Sequence, residues 1–303
     1  MTEEDLAKIE KVGESQGGKG TGCGEAVYGE LKVEATSKLL ASLEPPLSKT
    51  DVFYDLGAGR AIVPAAAVME FGVKKGVAVE MSHGRVEIAC EAVDIFNGYL
   101  PRSLSKLVAG KLEVVEGSML DASLEDATVI YMCATCFRTT LMRQVLYKIL
   151  GVAQRRQQAI RVLSVSEGFP LGPIYESGAF YPDSNNKDQP PMFPGVPEAV
   201  KHRVHHSGIT HVVASWSNHT PVHITTIYPA SGEADMVKDV KSVGLKTNCT
   251  LNIDRNRNAI YQGATKDKEY NPNALAHQAR VSSMELKLKI AEKLGAEPEE
   301  ETK

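Results

Sequence analysis

The stretch Asp51-Val52-Phe53-Tyr54-Asp55-Leu56-Gly57-Ala58-Gly59-Arg60 decides the fold that this sequence predicts. Apolar residues lead into an acidic residue and then into two glycines spaced one apart, which is how a buried parallel strand ends at a ligand-binding turn. A helix from Ala61 to Phe71 and a second apolar strand from Gly76 to Val79 follow, and Glu80 closes that strand. The pattern predicts a βαβ unit with an acid about 20 residues beyond Gly59, an arrangement that binds nucleotide-like ligands over the strand ends.

The residues around this turn favour S-adenosylmethionine over a dinucleotide. A dinucleotide fingerprint has a third small residue where this chain has Ile62. The Asp55 carboxylate would face a pyrophosphate, whereas it would receive an ammonium group well. S-adenosylmethionine carries an amine and no phosphate, and its two ribose hydroxyls suit Glu80. An α/β domain that binds no nucleotide remains the alternative, because short glycine patterns also occur by chance.

The composition bounds the class of protein. With 303 residues, 43% of them hydrophobic, the chain can form one main domain with appendages and a sizeable core. A net charge of −4 gives no general attraction for nucleic acid or an anionic membrane, so nucleic acid would need a local basic patch. No apolar run reaches the ~20 residues of a membrane span, and the acidic start is unlike a targeting peptide. We therefore expect a soluble, intracellular protein, and five sparse cysteines agree with a reducing compartment.

The chain divides into three parts. A flexible segment with a glycine-rich run covers residues 1–26, the main domain covers 27–230, and an extension with one helix and an acidic end covers 231–303. Within the main domain, residues 167–210 are polar and rich in proline, which is typical of a lid or an insertion. The glycine-rich run lacks the Gly-Lys-Ser/Thr ending of a phosphate-binding loop, so we interpret it as a linker.

The hydrophobic periodicity of the main domain alternates between helices and strands. Helices are predicted over 27–43, 61–71, 83–97 and 141–150, and further strands over 112–115, 128–132 and 160–165. A closing hairpin is predicted from Thr210 to Trp216 and from Val222 to Tyr228. This order predicts an α/β protein with a doubly wound, mostly parallel seven-stranded sheet and an antiparallel last strand, the Rossmann-like architecture of class I methyltransferases.

Four stretches in a fixed order carry a resemblance to a known family. They are Val27-Tyr28-Gly29-Glu30, Phe53 to Gly59, Val129-Ile130-Tyr131 leading to Phe137, and Ser215-Trp216 followed by Pro221-Val222. Over about residues 25–230 the sequence resembles the seven-strand S-adenosylmethionine-dependent methyltransferases, and within them the histone-lysine methyltransferases of the disruptor-of-telomeric-silencing (DOT1) type.

The resemblance implies a cofactor site for S-adenosylmethionine. Its members would be Tyr28 and Glu30 on a loop over the methionine part, Asp55 at the amine, Gly57 and Gly59 for close backbone approach, Glu80 at the ribose, and Ser118 and Met119 beside the adenine. The family has an aspartate and a phenylalanine at the last two positions, so adenine binding is expected to be looser here.

The resemblance also implies a narrow channel for a substrate lysine. Phe137 and Trp216 would line it, Cys133 and Ala134 replace the family's asparagine pair, and the family's channel tyrosine falls at His223 or Ile224. We therefore take Cys133, Phe137, Trp216 and His223 as the candidate catalytic residues. These departures leave methyl transfer intact as a prediction and put the histone substrate in question.

The cysteines and histidines are also candidates for redox or metal sites. Cys133 and Cys136 form a Cys-x-x-Cys pair that could act as a redox dithiol, but two small residues that fit a strand exit explain it more simply. The remaining cysteines are not spaced as metal ligands, and the histidines at 202, 205 and 206 lie on the polar insertion, so no metal site is predicted.

The sequence thus predicts a protein-lysine N-methyltransferase that acts as a chromatin regulator on a histone or nucleosome. It would work in the nucleus if its substrate is a histone and in the cytoplasm otherwise. A methyltransferase of the same fold acting on a small molecule or RNA, and a cofactor-binding protein without catalysis, are the alternatives. No membrane partner is expected.

Overall fold

The structure is a computed structural model, and it describes residues 31, 33–99, 110–173, 194–214, 216–233, 236–237 and 245–250. The predicted segment 1–26 and the predicted helix in the extension lie outside these residues. The site candidates Tyr28 and Glu30 lie outside them as well. The division into three parts therefore stays a prediction.

The described helices and strands alternate as the periodicity predicts. In chain order they are α1 (Val33–Ala41), β1 (Val52–Leu56), α2 (Ile62–Glu70), β2 (Lys75–Glu80), α3 (His83–Tyr99), β3 (Leu112–Glu116), β4 (Val129–Cys133), a 3-10 turn (Ala134–Cys136), α4 (Thr139–Arg156), β5 (Ile160–Val165), α5 (Glu198–Lys201), β6 (Val204–Val212), β7 (Thr220–Ile227) and β8 (Thr247–Thr250). β5 has the predicted bounds. α4 continues six residues past the predicted end at Leu150 and ends where Gln157 adopts a left-handed conformation, with φ of 52°.

The eight strands of the described residues form one sheet in the order β6-β7-β5-β4-β1-β2-β3-β8. Strands β1 to β5 are mutually parallel, whereas β7 runs antiparallel to both β5 and β6. The first seven strands confirm the predicted doubly wound sheet with its antiparallel strand. β8 is an additional edge strand, antiparallel to β3, that the sequence analysis missed because its four residues, Thr-Asn-Cys-Thr, show no apolar run.

The predicted start of the hairpin is wrong. β6 runs from Val204 to Val212 rather than from Thr210 to Trp216, so it begins inside the segment interpreted as an insertion. It is an edge strand with mostly exposed residues, and a register irregularity between His206 and Gly208 interrupts its pairing with β7. Both features remove the apolar alternation by which a strand is recognised in a sequence.

The sheet has one apolar cluster on each face. Phe53 of β1 packs in the cluster that includes residues of α1, α2 and α3, while Tyr54 and Leu56 pack in the cluster that includes α4. All five β1 residues are buried, which is expected of a central strand covered on both faces. No helix among the described residues is long and apolar enough to span a bilayer.

The cysteines depart from the expectation for a reducing compartment. Cys90 of α3 and Cys249 of β8 form a disulfide, with their Cα atoms 5.8 Å apart. The sequence spacing gave no sign of it because 159 residues separate the two cysteines. Cys133 and Cys136 remain thiols.

Asp51 joins the starts of three central strands. Its carboxylate accepts hydrogen bonds from Ser48 N (2.7 Å) and from the Thr128 hydroxyl (2.7 Å), and Arg161 of β5 approaches to 3.2 Å. Burial alone would raise the pKa of Asp51, but the hydrogen bonds and the arginine charge outweigh it, so the pKa lies below its ordinary value. The ionised carboxylate therefore holds β1, β4 and β5 in register.

Arg143 of α4 holds the two ends of the proline-rich segment together. Its guanidinium donates to the carbonyls of Pro170 (2.6 Å), Pro194 (2.7 Å) and Gly172. Burial lowers the pKa of Arg143, yet an arginine stays protonated near neutral pH. Val196 N also donates to Leu171 O (2.9 Å), so residues 170–172 and 194–196 lie next to each other.

We expect Asp51→Asn to lower the free energy of unfolding by about 1–3 kcal/mol at neutral pH, because an amide cannot accept all the donors that converge there. A carboxyl whose folded pKa is depressed contributes its stability above its unfolded pKa of 3.8, and the contribution disappears as the pH falls through the folded value. The difference between wild type and variant should therefore shrink below about pH 4. Urea unfolding at several pH values measures it, with exposed Glu44→Gln as control; a difference that is constant with pH would contradict the role of the charge.

We expect Arg143→Met to cost about 3 kcal/mol of unfolding free energy, since the carbonyls of Pro170, Gly172 and Pro194 lose a charged donor. Arg155→Met is a matched control on the same helix, because Arg155 pairs with Glu125 at the surface and such pairs are worth at most about 1 kcal/mol. Urea denaturation compares the two variants. Equal losses would show that Arg143 does not hold the segment.

Candidate cofactor and substrate site

The turn after β1 is fixed to the end of β2. The N–H groups of Gly57 and Ala58 both donate to the carbonyl of Val79, at 2.8 and 3.0 Å. Gly57 has a φ of 88° and Gly59 a φ of 51°, conformations that favour glycine over residues with a side chain. The two glycines that the sequence singles out are therefore required by the backbone of the turn itself.

Gly57 lies against two of the predicted site residues. A Cβ atom at this position would be 2.9 Å from Phe137 Cζ and 3.9 Å from Met119 Cε. Phe137 follows β4 and Met119 follows β3, so the exits of three strands meet at the glycine turn. This is the geometry expected at the carboxyl ends of parallel strands, where such sheets bind ligands.

Glu80 ends β2 with a buried carboxylate that is only 5% exposed. One oxygen accepts from Gly59 N and the other from Ser82 N, both at 2.9 Å. Arg85 lies 3.9 Å from one of these oxygens, and since a carboxylate can accept about four hydrogen bonds, Glu80 has acceptor capacity beyond the two N–H groups. The two hydroxyls of a ribose fit that capacity.

Asp55 lies beside this group on β1. Its backbone is paired with Ala78 of β2 on one side and with Tyr131 of β4 on the other, and the residue is 2% exposed. A buried carboxylate near the end of a strand suits a cationic group of a ligand. Asp55 therefore fits the amine of the predicted cofactor.

Ser118 forms the exit turn of β3. Its hydroxyl accepts from Leu120 N at 3.2 Å, and its carbonyl accepts from Asp121 N and Ala122 N. The preceding residue, Gly117, donates its N–H to the carbonyl of Glu80 at 2.9 Å, which joins this turn to β2. Gly117 received no role in the sequence analysis, although its place directly after a strand was visible there.

The candidate channel residues fall into two groups. Cys133 and Phe137 flank the 3-10 turn after β4, and Phe137 lies against Gly57. Thr135, between them, shares a hydrogen bond of 2.8 Å with Ser166 after β5. Trp216 lies in the β6–β7 turn and is 40% exposed. His223 lies on β7 beside Ser164, with its Nδ1 3.4 Å from His206 Nε2.

The register places His223 relative to the first group. Cys133 of β4 is paired with Val165 of β5, and Val165 is paired with Val222 of β7, so the side chains of these three residues share one face of the sheet. His223 is the next residue after Val222, so its side chain lies on the face opposite to that of Cys133. Cys133 and Phe137 are thus joined by the 3-10 turn but pack against different apolar clusters, and His223 lies two strands away from β4.

The segment that precedes α1 reaches the hairpin turn. Leu31 forms an antiparallel bridge with Ala214, two residues before Trp216. Leu31 directly follows the Tyr28–Glu30 motif in the chain, and the motif itself lies outside the described residues. Among the described residues, no cluster of three or more His, Cys, Asp or Glu side chains could hold a metal ion.

Comparison with known proteins agrees with this geometry. The model of the family "Histone methylation protein DOT1" matches residues 21–168. A curated protein of Saccharolobus islandicus, described as a protein-lysine N-methyltransferase, is 31% identical over 86 residues, which are 28% of this chain. That match spans about half of the relative, 47% of its length.

Solved structures with a similar fold include two bacterial proteins. The Mycoplasma capricolum protein TrmK, solved with S-adenosylhomocysteine, is 12% identical over 66% of this chain and 70% of that chain, with a TM-score of 0.37. Streptococcus pneumoniae Sp1610, a tRNA methyltransferase candidate solved with S-adenosylmethionine, is 14% identical over 66% and 73%, with a TM-score of 0.39. TM-scores this low assign no residue role and no substrate.

The family match agrees with the predicted cofactor, S-adenosylmethionine, and it confirms that the chain resembles the DOT1-type methyltransferases.

Proposed function

We propose that this protein is an S-adenosylmethionine-dependent methyltransferase that methylates lysine side chains of a protein. The observation that carries the proposal is the convergence of Asp55, Gly57, Glu80 and Phe137 at adjoining strand exits, around a glycine turn held by β2. The family match to residues 21–168 supports the same activity.

The cofactor would be held along the ends of three strands. Asp55 would receive its amine, Glu80 its ribose hydroxyls, and Ser118 with Met119 would lie beside its adenine. Tyr28 and Glu30 would cover the methionine part from the segment that leads into Leu31. When bound, S-adenosylmethionine supplies a methyl carbon on a sulfonium that a neutral amine can attack in line, and S-adenosylhomocysteine would be the leaving group.

For methyl transfer, the protein must also position a neutral substrate amine next to the methyl group of the cofactor. A free lysine has a pKa of about 10.4, and an apolar surrounding lowers it by disfavouring the charged form. Phe137, which adjoins Gly57, and Trp216 would provide such a surrounding. Positioning and exclusion of water by these residues would therefore suffice, and no dedicated base is required.

A protein substrate is favoured by the curated relative, which is described as a protein-lysine N-methyltransferase. A histone or nucleosome is the candidate that the family description suggests. With a histone substrate the protein would act in the nucleus as a chromatin regulator, and with another protein in the cytoplasm.

One observation favours a second candidate. Cys133 and Ala134 stand where the family has an asparagine pair, and they adjoin Phe137 at the proposed transfer site. Two small, weakly polar residues there would suit a different acceptor, such as a small molecule or RNA. The same change would also be found in a cofactor-binding protein that has lost catalysis.

We expect Gly57→Ala to weaken cofactor binding about tenfold or more, because the added Cβ would lie 2.9 Å from Phe137 and the φ of 88° disfavours a side chain. Titration calorimetry with S-adenosylhomocysteine measures the change. Gly232→Ala is the matched control, since nothing lies within 4 Å of a Cβ at that position. An unchanged affinity for the Gly57 variant would refute the placement of the site.

Methyl transfer itself is tested with radiolabelled S-adenosylmethionine. We expect label on protein lysines when nucleosomes, free histones, total RNA and a protein-free metabolite extract are offered in parallel, and clearly less label with Gly57→Ala at a cofactor concentration below the Kd of the wild type. Mass spectrometry of the labelled protein identifies the modified residue.

The four fractions separate the candidates. Label confined to the metabolite or RNA fraction would contradict lysine methylation but would still show that the protein is a methyltransferase. Cofactor binding without label in any fraction would favour the protein that has lost catalysis.

A further inference from the structure

The segment 245–250 is bound to the exit of β3 by specific contacts. β8 pairs with β3 through Val114 and Cys249 and through Val115 and Thr247, and the register shift between these pairs leaves Asn248 unpaired in the ladder. The Asn248 side chain accepts from Glu116 N at 2.9 Å and donates to a Glu116 carboxylate oxygen at 3.1 Å. The irregularity thus directs a polar side chain at the last residue of β3.

Leu245, which lies just before β8, covers Gly117, the residue that follows Glu116. A Cβ at Gly117 would lie 2.6 and 2.7 Å from the two methyl groups of Leu245. Leu245 packs against the same apolar cluster as Met119 and Phe137. Since Gly117 also donates to the carbonyl of Glu80, Leu245 lies over the turn that joins the proposed ribose and adenine contacts.

The disulfide between Cys90 and Cys249 ties this segment to α3. β8 has only four residues and lies at the edge of the sheet, so its backbone bonds alone hold it weakly. Cys249 is buried, and 159 residues separate it from Cys90, so the bond restricts a very long loop. The family match ends at residue 168, so this segment is not part of the resemblance.

We propose that residues 245–250 complete the adenine side of the cofactor site, with Leu245 as its outer wall, and that the Cys90–Cys249 disulfide holds them there. Cofactor affinity is then higher with the disulfide than without it. A dithiol reductant opens the bond by passing two electrons and two protons to it, giving two cysteine thiols and the disulfide of the reductant. Exchange with a small-molecule disulfide reverses the step. The inference rests on the proposed cofactor site.

The test uses the full chain and titration calorimetry with S-adenosylhomocysteine and, separately, with adenosine. Alkylation and mass spectrometry establish the state of the cysteines before each titration. We expect reduction to weaken both ligands about tenfold, or about 1.4 kcal/mol. Cys249→Ser should bind like the reduced wild type and should not respond to reductant.

Side-chain variants test the wall directly. Leu245→Ala should weaken adenosine and S-adenosylhomocysteine by similar factors, because both contain the adenine, whereas Leu245→Met should retain affinity. Met236→Ala is the matched control, since it shortens an exposed apolar side chain outside residues 245–250. Thermal unfolding shows whether each variant is folded at the titration temperature.

The outcomes distinguish this inference from the proposed function. Equal affinities in the two redox states, or an unchanged affinity for Leu245→Ala, would overturn the inference while the cofactor site stands. If the oxidised wild type bound neither ligand, the cofactor site and the inference would both be overturned.

Discussion

The turn between β1 and α2 depends on hydrogen bonds that only the end of β2 can supply. A buried backbone N–H must find an acceptor, and the donors of Gly57, Ala58 and Gly59 find theirs in the Val79 carbonyl and the Glu80 carboxylate. The ligand-facing turn is therefore positioned by strand pairing and not by its own conformation alone. Glu80 has two tasks, because the oxygen that orders the turn belongs to the carboxylate proposed to hold the ribose.

The central strands were predictable because burial on both faces leaves a continuous apolar run. β1, β2 and β5 show this directly, and the glycines mark the turn that follows β1. The edge strands were not predictable in the same way. β6 is largely exposed, and β8 consists of polar residues and one cysteine, so pairing with a neighbour decides their conformation where hydrophobic pattern does not.

The candidate site shows the same limit. Asp55, Glu80 and Phe137 could be proposed because parallel strands end at one edge of the sheet, so residues after different strands must meet there. Leu245 could not be proposed from the sequence, because its contact with Gly117 depends on where a segment distant in the chain pairs with the sheet. The disulfide belongs to the same class of feature, since proximity in space and not spacing in the chain creates it.

The Arg143 contacts have a consequence for how this domain can vary. Because both ends of the proline-rich segment are bound to one buried guanidinium, the chain between Gly172 and Pro194 begins and ends at a fixed place on the domain. The entropy of closing a loop rises only slowly with its length, by roughly 0.6 kcal/mol per doubling. Insertions or deletions between Gly172 and Pro194 are therefore expected to cost little stability, as long as the contacts of Arg143 are kept.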